Sequence, residues 1–189
     1  MKKAFTLIEV NLAIMVMAVG VLGIISLYAF GFREERQSRE DVASAAYADA
    51  VMGPLVTALT ATNVKWSAFR KIPDSPGPDG WGHYLQNRAT GKVVSDPEGV
   101  AQSAYSRTMS ALSLGGGFPT GFQVSKQKAG NLKAALVVMH PRDENNNPIE
   151  SLIAISFRAA TKENLLFSAP LYYTEARFQG VMDENGGSE

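Results

Sequence analysis

Asp143, Asn145 and Asn147 stand at alternate positions in the stretch PRDENNNP. Oxygen-bearing side chains at that spacing match the first three ligand positions of a calcium loop, where a hard cation gathers carboxylate and amide oxygens. The match then breaks. Pro148 sits where such a loop needs its glycine, and Ala154 where it needs the closing glutamate. An Asx-rich hairpin turn uses the same residues without a cation. Both readings stay open on the sequence.

Other chemistry is sparse. His83 and His140 are the only histidines, and there is no cysteine. Thiolate nucleophiles, disulfide frameworks and cysteine-bound zinc are thereby excluded. His140 closes an apolar stretch beside Pro141, where a hydrogen-bonded structural role is the default. No G-x-S-x-G, H-E-x-x-H or phosphate-loop pattern occurs. The expectation is a protein without catalytic residues or a cofactor. Basic and acidic side chains number 18 each, so no broad basic face is expected to bind nucleic acid.

The ionisable group in the costliest place is Glu9. It is the one charge in the run FTLIEVNLAIMVMAVGVLGIISLYAFGF, Phe5 to Phe32, which also holds one side-chain amide, Asn11. As a helix this run extends about 42 Å, more than a hydrocarbon core of roughly 30 Å. Lys2 and Lys3 precede it, and Arg33-Glu34-Glu35-Arg36 ends it. A cleaved secretory signal carries an apolar region of about 7–15 residues and a small-x-small site; this run is about twice too long and has no such site before the charges. An ordinary signal anchor fits the length but gives no reason for Glu9. Thr6-Leu7-Ile8-Glu9 fits the S/T-x-x-E capping box, which supplies a local reason.

The stretch KKA-FTLIEV, followed by an unbroken apolar helix, resembles the processing signal of type IV pilins and of the pseudopilins of type II secretion. The likeness covers roughly the first 35–40 residues and extends into AVGVLGIISLYAFGFRE, which is similar to minor pilins. It implies a leader at 1–4, cut between Ala4 and Phe5 by a prepilin peptidase, with the new amine of Phe5 methylated. The family usually has glycine where this chain has Ala4. The likeness further implies that Glu9 acts in assembly, paired with a cation one helical turn away. That cation is its own amine or a neighbouring subunit's. Low dielectric makes such pairing a device for register, because a mismatch leaves both charges unpaired at a cost of several kcal/mol by order of magnitude, about 3–5. Gly20, Gly23, Ala13 and Ala18 suit close approach of neighbouring helices in lipid.

The elements that must position these residues follow from pattern. The helix is expected to continue through QSREDVASAAYADAVMGPLVTALT, with Val42, Ala45, Met52, Leu55, Val56 and Leu59 as its apolar stripe. Gly53-Pro54 is expected to kink it or to start a new helix. PDSPGPDG is a loop, and the DGWGHY after it is faintly similar to a loop of major pseudopilins; an aromatic plug on a turn is the plainer reading. Asp96-Pro97 signals a helix start. Candidate strands are Phe122–Lys126, Leu132–His140, Glu150–Arg158 and Leu165–Arg177, joined by turns as an antiparallel meander. Pro170 puts the last strand at an edge or a bulge. The fold class is therefore α+β: a long N-terminal helix, its first half transmembrane, packed on a C-terminal antiparallel sheet, the architecture of the pilin fold.

This organisation divides the chain into a leader (1–4), a transmembrane assembly helix (5–32) and a periplasmic globular domain (33–189) with its sheet from about residue 121. The function expected is a structural one: a minor pilin or pseudopilin of a type IV pilus or type II secretion filament. Its partners would be other pilin or pseudopilin subunits, the prepilin peptidase, the inner-membrane assembly platform and the membrane itself. It would reside as a single-pass inner-membrane protein before entering a periplasmic or cell-surface filament. The alternative is a membrane-anchored periplasmic binding module that never polymerises.

Overall fold

A computed structural model describes residues 6–75, 96–124 and 131–183. The chain divides into two compact units, Met1–Arg39 and Glu40–Glu189. One helix, α1 (Leu7–Leu59), contributes to both. In the first unit its side chains are exposed on every side. No amphipathic face exists there to bury, and the span is long and apolar enough to cross a membrane.

In the second unit α1 becomes one-sided. Ser44, Tyr47, Ala48, Val51, Met52, Leu55, Ala58 and Leu59 are buried, recurring at three and four residues as a core-facing helix requires. The stripe is shifted from the sequence-based one: Val42 is exposed, and Tyr47 and Val51 lie at its centre. The helix also runs through Gly53-Pro54 without ending. Both residues lie on its exposed side, where the carbonyl that proline leaves unbonded can be hydrated.

Tyr47 anchors the core. Its ring stacks on Phe122 at 4.4 Å and meets Phe157 edge-on at 5.2 Å. Its hydroxyl donates to the Pro119 carbonyl at 3.0 Å, and burial pushes the phenol well above the usual tyrosine range.

Helix α2 (Trp66–Arg70) and helix α3 (Pro97–Ala111) complete the helical part. The expected start of α3 is present: Asp96 caps it, accepting the Glu98 amide, and Pro97 occupies its first turn. Three strands form the sheet, β1 (Lys133–Met139), β2 (Leu152–Ala160) and β3 (Tyr172–Arg177), in the order β1-β2-β3 and antiparallel throughout. The register pairs Leu136 with Phe157 and Ile155 with Thr174. Alternation puts Leu136, Val138, Ile153, Ile155 and Phe157 in the main core, and Ala135 and Val137 in a smaller cluster with Leu166.

Two expected strands come out differently. Around Phe122 there is one isolated bridge, Gln123 with Asn131, and residues 125–130 lie outside the described residues. The expected strand from Leu165 begins only at Tyr172; Glu163–Leu165 is a single 3-10 turn. Arg158 explains that difference. Its guanidinium donates to the carbonyls of Phe167 and Ala169, holding the segment curled over β2.

The C-terminal segment straps the molecule. The Val181 amide donates to the Val64 carbonyl at 2.8 Å, and the Trp66 amide to the Val181 carbonyl at 3.0 Å. Asp183 accepts the Ser67 amide at 2.9 Å and also the Ser67 hydroxyl. It thereby serves the start of α2, which its own cap residue Lys65 does not. These two hydrogen bonds from Ser67 lower the Asp183 carboxyl. The close approach depends on Gly180: a Cβ there would stand 1.9 Å from the Val64 oxygen. Gly180→Ala is therefore expected to open the strap at a cost of about 1–3 kcal/mol. Its signatures are a lowered urea midpoint for the detergent-solubilised chain and faster hydrogen exchange at the Val181 amide.

Candidate functional site

The candidate site begins at the first turn of α1. The Thr6 amide donates to Glu9 Oε2 at 2.8 Å and the Thr6 hydroxyl to the same oxygen at 2.9 Å. The Glu9 amide faces the Thr6 hydroxyl oxygen at 3.4 Å. Thr6 thus caps the helix while Glu9 reaches back, the reciprocal box expected from the sequence. One oxygen of the carboxylate is committed to the cap; its other oxygen makes no hydrogen bond among the described residues. Ala4 and Phe5, the expected processing residues, lie outside the described residues, as do His83 and the DGWGHY stretch.

From Glu9 the helix carries a seam of small residues. At about 100° per residue, Glu9, Ala13, Gly20 and Gly31 fall within an arc of roughly 40°. Gly23 lies about 40° beyond it, and Ala18 on the far side of the helix. Added Cβ atoms at Gly20, Gly23 and Gly31 would meet nothing within 4 Å. The helix surface is open there. Gly31 stands well beyond the other glycines of the apolar run; its spacing of eleven from Gly20, three helical turns, is the sequence signal that joins it to them. Beside it Ile24, Leu27, Tyr28, Phe32 and Glu35 frame a shallow hollow of about 410 Å³.

Elsewhere the titratable groups are structural. His140 is buried; its amide and its Nδ1 both engage Asp74 Oδ1, at 2.7 and 2.9 Å. Beside it the Ser75 amide donates to the Val138 carbonyl at 2.7 Å, and the Val138 amide to Ser75 Oγ at 2.9 Å. The pair pins residues 74–75 along the outer edge of β1. A cleft of about 710 Å³ opens near the end of α1, between Pro54, Ala58, Val64, Met109 and Leu112; Lys65 is the ionisable residue in its lining. Among the described residues no three His, Asp or Glu side chains gather as a metal site would need.

Asp143, Asn145 and Asn147 do lie together. Asp143 Oδ1 accepts the amides of Asn145 at 2.9 Å and Asn147 at 2.8 Å, and Oδ2 faces the Asn147 side-chain nitrogen at 3.4 Å. Asn146 takes a positive φ of 65°, a conformation asparagine tolerates. The carboxylate is turned onto its own backbone as an Asx turn. The hydrogen bonds from Asn147 and Asn145 hold the Asp143 carboxyl below the usual range. A depressed folded value means that the turn's contribution to stability is full above the ordinary Asp value near about 3.9 and is lost as pH falls through the lower folded one. The Asn145 and Asn147 amide resonances should therefore titrate with a midpoint below about 3.9. Asp143→Asn should abolish that titration, and millimolar calcium should leave the resonances in place.

Comparison of the chain with family models, curated proteins and solved structures returns no match in any of the three.

Proposed function

We propose that the protein is a minor pilin or pseudopilin, a structural subunit that is cut before Phe5, stored in the inner membrane and drawn into a type IV pilus or type II secretion filament. The observation that carries this reading is the pairing of features on α1. An apolar surface exposed on every side runs from Leu7 to Phe32, and at its start a single carboxylate lies on the same arc as Ala13, Gly20 and Gly31. A lone anchor needs apolar length; it does not need a carboxylate at the head of a small-residue seam. For a helix that packs against copies or relatives of itself, each part has a use. The small residues let backbones approach. Glu9 penalises every register that leaves it without a cation.

The capping box fits this reading. It orients the Glu9 side chain toward the helix start, where cleavage between Ala4 and Phe5 would create a positive amine one turn away. The partners on this reading are other subunits of the filament, the prepilin peptidase and the inner-membrane assembly platform. The globular unit would face the periplasm.

Two measurements test it. Co-expressed with a prepilin peptidase, the chain should lose Met1–Ala4 and gain one methyl group by intact mass; an uncleaved chain would favour the non-polymerising anchored binding module. Glu9→Leu should insert into the membrane at the native level but enter sheared filaments at least about ten-fold less, as one unpaired charge worth more than 1.4 kcal/mol requires. Native incorporation of that variant would remove Glu9 from the mechanism.

A further inference from the structure

The two edges of the sheet are treated differently. Along β1 the outward-facing backbone is occupied: the Leu132 amide donates to the Phe122 carbonyl at 2.7 Å, Val138 exchanges hydrogen bonds with Ser75, and the His140 amide donates to Asp74. Along β3 no described residue occupies it. The Phe178 amide donates to the Ser151 carbonyl, and the register pairs Ala176 with Ile153 and Thr174 with Ile155. Hydrogen-bonded pairs alternate along an antiparallel ladder. The backbone groups of Thr174 and Ala176 therefore face β2, and those of Tyr173, Glu175 and Arg177 face away from the sheet. No hydrogen bond to those outward groups is present among the described residues. The side chains of Tyr173, Glu175 and Arg177 are exposed as well.

The edge lacks several of the usual deterrents to pairing. Lysines, prolines within the strand or a bulge would discourage pairing; β3 reads YYTEAR and keeps an unbroken register with β2. Instead it carries opposite charges two residues apart, both at outward-bonding positions. Turned through a two-fold axis at Ala176, the strand lays Glu175 against Arg177 of the second copy, and Arg177 against Glu175. Both are hydrogen-bonded pairs, so each exchanges two backbone hydrogen bonds along with its ion pair. The two-fold axis at Glu175 would oppose glutamate to glutamate, which destabilises. An axis at Thr174 would set Glu175 against Tyr173 and leave Arg177 opposite Leu171, with no ion pair. One register is thus selected by charge.

We propose that the free edge of β3 pairs antiparallel with β3 of a second copy of this chain, in the register that sets Glu175 opposite Arg177. This contact lies in the globular unit and stands apart from the assembly proposed for α1. Tyr173 prepares it: its hydroxyl donates to Glu175 Oε1, holding the carboxylate along the strand and leaving its other oxygen for the arriving guanidinium. Such a pairing is isologous, the self-complementary form that closes a dimer.

The chain's lack of cysteine makes the test clean. Glu175→Cys and Arg177→Cys are placed in two differently tagged full-length chains, co-expressed, and the membranes are oxidised. Opposite residues of a hydrogen-bonded pair have Cα atoms about 5.5 Å apart, within the disulfide range of about 4.4–6.8 Å. Two copies of residue 175, or of residue 177, would stand about 8–9 Å apart, outside it. The mixed disulfide should exceed each self-disulfide by at least about five-fold. The mixed pair keeps one ion pair, Arg177 of the first chain with Glu175 of the second; adding Arg177→Glu to the Glu175→Cys chain should cut the mixed product several-fold, about five-fold. Self-disulfides as abundant as the mixed one, no disulfide at all, or a disulfide to some other protein in its place would each overturn the proposal. So would a mixed product indifferent to the charge reversal.

Discussion

From Leu7 to Phe32, α1 exposes an apolar surface that nothing in its own unit covers. Leu7, Met17 and Leu27 are each at least 70% exposed. At about 25 cal/mol per Å² of apolar surface, a helix of such residues cannot remain in water. A membrane, other helices or both must complete it. The globular unit answers a different demand. There α1 needs only one apolar stripe, and the stripe starts where the charged segment Arg33–Asp41 ends. One continuous helix thus passes from a sequence pattern suited to lipid to one suited to a core, with a charged stretch at the change.

That division governs what polar groups do. In the apolar span a charge is expensive, so the single carboxylate is informative about function even while it also caps the helix. In the globular unit polar groups are inexpensive and mostly serve geometry. Asp183 caps α2 from the far end of the chain, Asp74 holds His140, Asp143 shapes a turn, and Arg158 fixes the course of the chain ahead of β3. Each is accounted for by hydrogen bonds on the page, and among the described residues no three His, Asp or Glu side chains gather.

The local features were legible in the sequence. The capping box at Thr6 and Glu9 and the start of α3 at Asp96 rest on residues within four positions of one another, and both agree with the structure; Pro170 lies ahead of β3 rather than within it. What was not legible depends on distant partners. The expected stripe of α1 holds at Met52, Leu55 and Leu59 but misses Ser44, Tyr47, Ala48 and Val51, because Ala, Ser and Tyr are ambiguous until Phe122 and Phe157 are seen against Tyr47. The stretch from Leu165 has strand-like composition, but Arg158 of the preceding strand decides its shape. No local sequence signal marks Gly180; its necessity comes from the Val64 carbonyl. Gly53-Pro54 is expected to kink the helix or to start a new one, yet α1 runs through it, and on the exposed side the carbonyl that proline leaves unbonded is open to hydration. At the candidate site Glu9, Ala13 and Gly20 are legible in the sequence, and Gly31 joins them by a spacing of eleven residues that its distance along the chain obscures.

Glu9 and the pair Glu175–Arg177 pose one physical problem in two solvents. A charge in lipid without a counter-charge costs several kcal/mol, about 3–5 when a paired partner is removed, so on the proposed assembly one carboxylate suffices to fix a helix in register. An ion pair on a wet strand edge contributes only about 0.2–1 kcal/mol. It cannot drive association, and on the proposed pairing it does not have to, because the backbone hydrogen bonds and the flanking tyrosine supply the attraction. What the weak pair supplies is discrimination, since the competing registers lose it or place like charges together. On the two proposed contacts, the same logic asks for one charge in the apolar span and a doubled, two-fold-related pair on the strand edge.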